Sequence, residues 1–352
     1  VGLVIPADPA VATAIDGSLA RIRERADGLG DGFDALAAAI GRAAHGGKRL
    51  RPMLVTAAFE AFGGTESERP AVLAVAAAFE LLHTAFVVHD DVIDHDTERR
   101  GVLNVGGEFR ARGREAGADP AGAAALGDAA AILAGDLLLH EAFRLIAMAP
   151  TEAATKDRLL GLLDDAIVVS AAGELADVEH SVSASFPSRA ETLSTAFRKT
   201  AVYSFLAPLQ AGAVLAGADA AALRVLGDLG GRLGLAFQLV DDLIGTFGTA
   251  EQTGRDSGPD LRETKRTPLI ALARESGAAP DVEAALARAV TGPVAVREAQ
   301  LVLADSGAGE RLGGLIAETL DGVRSGSHDD ALPSGAGSML RGLADEIDRR
   351  IP

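Results

Sequence analysis

The sequence predicts an all-α protein, and three observations carry that expectation. Hydrophobic residues make up 48% of the 352-residue chain, yet aromatics are only 4%, with one Tyr and no Trp. The core must then be built from Ala, Leu, Val and Ile, and Ala and Leu are the strongest helix formers among these. Apolar positions recur with helical spacing from about residue 9 nearly to the C-terminus, broken by Gly, Pro and Asp/Ser clusters. No stretch carries a strand or hairpin pattern. The economical reading is one domain over residues 1–352, with residues 1–8 as an N-terminal tail.

Behind that tail, helices are expected over 9–28, 32–45 and 50–62, the last entered through the glycine-led turn HGGKRLRP (45–52). A long helix over 69–96 is almost wholly apolar (AVLAVAAAFELL, TAFVV) until it meets an acidic cluster, as befits an element buried inside a bundle. The stretch 101–122 (GVLNVGGEFRARGREAGADPAG) reads as a long connection, followed by helices over 122–148 and 152–181. Helices over 188–200 and 202–217 flank the junction within FRKTAVYS (197–204). A helix over 219–243 runs into LGLAFQLVDDLIGTFG (234–248), where Gly245 fits a C-cap. After a connection over 245–265 come helices over 265–276, 280–291, 295–305, 309–324 and 335–350, with SGSHDDALPSG (325–335) as a surface connection. Connections longer than about 12–15 residues are usually functional or disordered. The first two long ones directly follow acidic clusters, so a functional role is expected for them.

Composition narrows the function. With 33 basic and 50 acidic residues the formal charge is −17, which argues against nucleic-acid binding. Cys is absent, so neither disulfides nor thiolate metal sites can form. No basic segment leads into a short apolar one at the N-terminus, and no run of about 18 uninterrupted apolar residues occurs. The expectation is a cytoplasmic protein that does not span a membrane.

The chemistry begins at HDDVIDHDTERRG (89–101), where acidic side chains crowd together before two arginines. On one helix, His83, Val87, Asp90 and Asp94 are spaced 4, 3 and 4, and fall within a stripe about 60° wide. Asp91 lies about 100° round from Asp90. Two carboxylates one turn apart repel each other, and a helix C-terminus is the unfavourable end for anions. A cation should compensate. Aspartate oxygens without Cys suit a hard ion such as Mg²⁺, held by one or two carboxylates plus substrate phosphates. A polar helix end in water explains a lone acidic cluster equally well. However, FQLVDD repeats the design, an apolar helix ending in Asp241 and Asp242 with Gln238 one turn before.

Basic groups flank both clusters. Lys48, Arg49 and Arg51 lie in the Gly-led turn, Arg99 and Arg100 follow the first cluster, and Arg255, Lys265 and Arg266 follow the second. Lys199 and Thr200 sit in FRKTAVYS. Any one of them alone is most simply a solvated surface charge. Carboxylates with Arg and Lys around one cavity can hold a diphosphate, the acids through Mg²⁺ and the bases directly.

GGKRLRP, DDVID with RRG four residues on, AGDLLL (134–139), RKTA, FQLVDD and DLRETKRT occur in this order over roughly residues 32–270. In order and spacing the chain resembles the trans-isoprenyl diphosphate synthases, the polyprenyl synthetase family. The resemblance implies the isoprenoid synthase fold, a single large helical bundle around a central apolar cavity with two facing aspartate-rich helix ends. It implies Asp90, Asp94 and Asp241 as Mg²⁺ ligands, with three ions once diphosphate is bound and Mn²⁺ as a substitute. Lys48, Arg51, His83 and Arg100 match positions that bind isopentenyl diphosphate. Arg99, Lys199, Thr200, Gln238, Arg255 and Lys265 match positions on the allylic diphosphate, which is dimethylallyl, geranyl or farnesyl. Asp90, Asp94, Arg99, Lys199, Asp241 and Lys265 would carry the catalysis, in a homodimer.

Three departures stand out. The second motif reads DDLIG, so Gly245 cannot supply its last carboxylate; Asp241 is expected to keep the metal with Asp242 supporting it through water. Arg255 stands where the family commonly has Lys, and the proline usual soon after RRG is absent around Leu103.

The implied reaction is a 1′–4 head-to-tail condensation. Stabilised departure of diphosphate leaves an allylic cation, the isopentenyl double bond attacks it, and a proton is lost to the departed diphosphate. Apolar walls keep water from the cation. Product length depends in the family on the fourth and fifth positions before the first motif, here Phe86 and Ala85. The helical wheel puts Phe86 about 40° from Asp90 and Ala85 about 140° away, so geometry nominates Phe86 alone. The expected product is C20, with C15 next. Competing readings are a longer-chain synthase, a terpene cyclase or head-to-head synthase, and a catalytically silent subunit of a heteromeric synthase. GGKRLRP with His83 argues against the cyclase and head-to-head readings, and Gly245 is the best support for the silent subunit.

Overall fold

A computed structural model describes residues 9–248, 258–263 and 265–352. The all-α expectation holds. In chain order the N-terminal part comprises α1 (Pro9–Ala26), α2 (Asp31–Ala44), α3 (Leu50–Ala61), α4 (Arg69–Ile93), a hairpin of β1 (Glu98–Arg99) and β2 (Val102–Leu103), α5 (Val105–Glu115), α6 (Pro120–Ala147) and α7 (Ala153–Val182). Then follow α8 (Arg189–Ala196), a π-helical stretch (Phe197–Leu206), α9 (Ala207–Leu215) and α10 (Ala220–Phe247). The C-terminal part is α11 (Pro259–Arg262), α12 (Pro268–Ala273), a second π-helical turn (Arg274–Ala278), α13 (Ala279–Ala289), α14 (Pro293–Asp305), α15 (Ala308–Gly326) and α16 (Ser334–Asp348).

Two apolar clusters build the core. One surrounds α4, whose Val72, Val75, Phe79, Leu81 and Leu82 are fully buried against α1, α2, α6 and α7. The other surrounds α10, whose Leu226, Leu233, Leu239 and Val240 pack against α12, α15 and α16. Leu223 packs against both. Burying each side chain of this size stabilises the fold by about 1.5–3 kcal/mol. The two central helices are thereby held firmly, and each ends in its acidic pair. Side-chain caps start α6 and α10: Asp119 accepts from Gly122 N–H at 2.7 Å and Asp219 from Ala222 N–H at 2.8 Å.

The structure corrects the sequence expectation in five places. The supposed connection 101–122 contains α5, capped by Asn104, which accepts from Gly107 N–H at 2.8 Å. Its glycines weakened the helical pattern, yet they let the backbone approach its neighbours: a Cβ on Gly113 would meet Ala123 Cα at 3.1 Å. The helix expected over 69–96 stops at Ile93, with Asp94 as its C-cap. A short hairpin follows where no strand signal was read, turning through Arg100 (φ 56°) and Gly101 (φ 76°). Positive φ at both central residues is what a tight two-residue hairpin requires. The helices expected over 188–200 and 202–217 form one continuous rod through the π stretch, with no break at residue 201. Finally, α10 runs on to Phe247 and is capped by Gly248, so Gly245 lies inside the helix.

By length and composition, Glu66–Ile93 and Pro120–Ala147 could cross a membrane. The first is the core helix already described, 72% buried over its apolar window, against 39% for the second.

Candidate active site

The end of α4 sets the first half of the site. Asp94 N–H donates to the Asp90 carbonyl at 2.8 Å, so the helical stripe carries through to Asp94 even as the helix stops. Asp91, on the buried side, accepts from Arg99 Nε at 3.0 Å and from Nη2 at 2.6 Å. The same guanidinium lies 3.7 Å from Asp90. The hairpin turn thus folds Arg99 back over the acids that precede it and sets Arg100 beside Gly46 and Gly47. At residue 135 of AGDLLL a side chain would collide with the His89 ring, so that glycine makes room for α4 against α6.

Two lysines join the acidic ends. Lys199, on the π stretch, donates to Asp177 at 2.8 Å and Glu174 at 2.9 Å on α7 and lies 3.5 Å from Asp90. Burial pulls its ammonium down, but Asp177, Asp90 and Glu174 outweigh that and hold it well above the ordinary lysine value. Lys265 pairs with Glu263 at 2.9 Å and lies 3.9 Å from Asp94. Burial again opposes charge there, and Glu263 and Asp260 prevail, raising it. Both lysines, Thr200, Gln238, Asp90 and Asp241 line one cavity of about 230 Å³. The facing of the two acidic helix ends, which the sequence could only suggest, is therefore present.

At the end of α10, Asp241 is paired with Arg350, whose guanidinium also stacks 4.1 Å from the Phe237 ring centroid. Asp242 is buried and accepts from Gln238 Nε2 at 2.9 Å. Burial, with Asp260 nearby, pushes its carboxyl up to about 8, and burial pushes Asp260 up to about 6 against the pull of Lys265. Asp94 is raised as well, by burial and by Asp90. Acids crowded so that they resist ionisation are suited to a site completed by an added cation.

A pH dependence follows. Asp242 and Asp260 bind their protons more tightly in the folded chain than at the ordinary value of 3.8. Their contribution to stability is complete below that value and is lost as pH rises, through about 6 for Asp260 and about 8 for Asp242. The Tm of the metal-free protein should fall between pH 5 and 8.5. Asp242→Asn should flatten the upper part of that fall, which thermal melts across the pH series would measure.

A second, larger cavity of about 1000 Å³ is lined by Gly46, Gly47, Arg49, Glu80, His83, Arg99 and Arg100, with Val87, Val88 and Val105 as apolar wall. Arg99 and Arg100 both open onto this cavity. Arg51 is buried and donates to Ser204 Oγ at 2.7 Å and Tyr203 Oη at 3.2 Å, with its guanidinium 4.7 Å from the Tyr203 ring centroid. His83 also stacks with Tyr203, with ring centroids 6.1 Å apart. Burial and the surrounding Arg51, Arg99, Arg100 and Arg49 hold His83 well below its ordinary value, hence neutral. Lys48 borders a small hollow with Phe237 and Arg350. Phe86 is half-buried and meets Tyr203 edge-on at 5.0 Å, whereas Ala85 is fully buried in the core. Arg255 lies outside the described residues.

Among the described residues no three His, Asp or Glu side chains converge closely enough to hold a metal ion unaided. The carboxylates of Asp90 and Asp241 instead border one cavity from two helix ends, with Asp94 3.9 Å from the Lys265 that lines it, a donor set suited to a hard ion that draws its remaining oxygens from a bound anion. Sequence reasoning missed Glu174, Asp177, Tyr203, Ser204, Asp260 and Arg350. The i, i+3 spacing of Glu174 and Asp177 and the uniqueness of Tyr203 were available signals. Nothing near Arg350 points to Asp241, 109 positions away.

Comparison with known proteins accords with this geometry. The geranylgeranyl diphosphate synthase of Sulfolobus acidocaldarius is 35% identical over 229 residues, covering 64% of this chain and 62% of that one. The farnesyl diphosphate synthase of Geobacillus stearothermophilus is 33% identical over 271 residues, covering 74% and 82%. A solved geranylgeranyl pyrophosphate synthase from Corynebacterium glutamicum, complexed with isoprenyl diphosphate and magnesium, superposes with a TM-score of 0.89 at 28% identity, covering 98% of this chain and 100% of that one. The family model described as polyprenyl synthetase matches residues 34–300. The chain belongs to the polyprenyl synthetase family.

Proposed function

We propose that this protein is a short-chain trans-prenyltransferase that condenses isopentenyl diphosphate with an allylic diphosphate, giving a C20 or C15 diphosphate. The observation that carries the reading is the convergence of Asp90, Asp241, Lys199 and Lys265 on one cavity, with Asp94 3.9 Å from Lys265. Mg²⁺ held by Asp90, Asp94 and Asp241 would neutralise charge on the departing diphosphate. Lys199 and Lys265 take the remaining phosphate charge, and Thr200 and Gln238 orient the group. Arg350 must release Asp241 for this arrangement. Lys48, Arg51, His83 and Arg100 take the second diphosphate, His83 and Arg100 from the wall of the larger cavity. Arg99, tied to Asp91, holds the hairpin between the two sites. Arg255 adds charge on the allylic side.

One domain over 1–352 is supported by Leu223, which bridges the two core clusters. A homodimer through α6 and α7 is supported by an apolar face left in the open: Leu126, Ile132, Leu133 and Phe143 on one helix, Val168 and Leu175 on the other. That face also accounts for the apolar composition of α6 without a membrane, in keeping with a cytoplasmic enzyme.

Phe86, edge-on to Tyr203, is the residue proposed to end the growing chain. Phe86→Ala should lengthen the main product by at least one C5 unit. Mass spectrometry of products from each allylic starter checks this, and unchanged length would assign Phe86 to packing alone. If the wild type already makes chains longer than C20, the longer-chain reading holds instead.

A further inference from the structure

The turn over 45–49, between α2 and α3, has little of its own to hold its shape. Gly46 (φ 88°), Gly47 (φ 82°) and Arg49 (φ 52°) all sit at positive φ. The two glycines adopt that conformation freely, but a residue with a side chain keeps it only where its surroundings impose it. Among the described residues the backbone groups of Gly46, Gly47 and Lys48 make no hydrogen bond. The hold comes from the Arg49 guanidinium. Its Nη2 donates to the Ala44 carbonyl at the end of α2 at 2.8 Å, and its Nη1 donates to Glu80 Oε1 at 2.9 Å. One side chain thus closes the turn on itself and fastens it to α4. Glu80 is buried there one turn before His83, and its Oε2 is buried with no hydrogen-bond partner among the described residues. Replacing a buried ion pair by apolar side chains is often neutral or stabilising, so stability alone does not account for this pair. Gly47 lies between Glu80 and the hairpin: a Cβ there would be 3.9 Å from Glu80 Oε1 and 3.8 Å from Arg100 Nη2. Arg49, Glu80, His83 and Arg100 line the same cavity.

We propose that Glu80 is a positioning residue for isopentenyl diphosphate, acting through Arg49 to hold the 45–49 turn in its left-handed shape. This rests on the prenyltransferase reading. Within GGKRLRP, Arg49 is then the staple of the turn and not one of its phosphate ligands, since both terminal nitrogens of its guanidinium are already engaged. The turn, with the exposed Lys48, is kept in register with His83 because both are referred to the same buried helix.

The test compares Glu80→Gln, Arg49→Gln and the double variant. Glu80→Gln keeps the shape of the side chain and removes its charge. An unpaired buried charge is the costly state, so the double variant, which removes both charges together, keeps the test valid if a single variant folds poorly. The first readout sets the KM for isopentenyl diphosphate against kcat and the allylic KM. Misplacing binding groups by about 1 Å can cost about 100-fold, so each variant should raise the KM for isopentenyl diphosphate about tenfold or more. The allylic KM and kcat should stay within a few-fold. The double variant should be no worse than the worse single one, because both changes undo the same contact. The second readout is trypsin cleavage after Lys48 in substrate-free protein well below its Tm, which should be faster in all three variants. An unchanged KM for isopentenyl diphosphate in Glu80→Gln, or unchanged cleavage, overturns the proposal. So does a lowered KM, since the freed Arg49 would then be acting as a phosphate ligand, and so does an equal rise in both KM values. Failure of the prenyltransferase reading is separate: the wild type would then form no prenyl product, while faster cleavage after Lys48 would still show Glu80 holding the turn.

Discussion

Asp90→Asn should lower kcat for prenyl transfer by two to three orders of magnitude and leave the fold intact. The substitution keeps the shape of the side chain and removes the charge that faces both Lys199 at 3.5 Å and the shared cavity. Losing one preorganised electrostatic group at a centre of developing charge typically costs about 10²–10³ in kcat, or about 2.7–4 kcal/mol. Lys199 keeps Asp177 and Glu174, so its position survives. Asp90 is also one of the groups that raise Asp94, so its repulsion is relieved in the variant and the metal-free Tm should hold or rise. Steady-state kinetics with thermal melts on the same samples checks both halves. A fall in activity matched by a fall in Tm would reassign Asp90 to structure.

Arg51→Gln should act on the other substrate. Arg51 is buried, spends one guanidinium nitrogen on Ser204 and Tyr203, and has its buried Nε without a partner in the described structure. A buried cation with an unused donor beside a neutral His83 is placed for an anion. A hydrogen bond to a charged group contributes about 1.5–3 kcal/mol. The KM for isopentenyl diphosphate should therefore rise about 10–100-fold, while the KM for the allylic substrate stays within a few-fold. An equal rise in both would contradict the assignment of Arg51 to one substrate.

Much of this site was legible in the sequence because its two halves are local. Each is an apolar run that must be buried, ending in adjacent aspartates, and helical spacing alone put His83, Asp90 and Asp94 on one face. The bundle was legible for the same reason. What escaped notice has physical causes. A hairpin with two-residue strands has no periodicity to detect, although Arg100-Gly101 is a turn of the right chemistry. The π stretch over 197–206 differs from an α-helix only in hydrogen-bond register, which composition does not encode. α5 was obscured by glycines that serve packing. Reading Gly245 as a cap was a reasonable local inference overturned by the continuation of α10 to Phe247, where Gly248 is the cap. Arg350 on Asp241 is equally non-local and lies in the C-terminal segment, where no motif was found.

The central claim is that this chain alone ionises an allylic diphosphate and extends it. The most direct measurement incubates the purified protein with Mg²⁺, farnesyl diphosphate and isopentenyl diphosphate, following inorganic diphosphate release and the mass of the product. The account predicts release that requires Mg²⁺, equimolar with a C20 diphosphate. No release from the protein by itself, with release restored only by a second polypeptide, would contradict it.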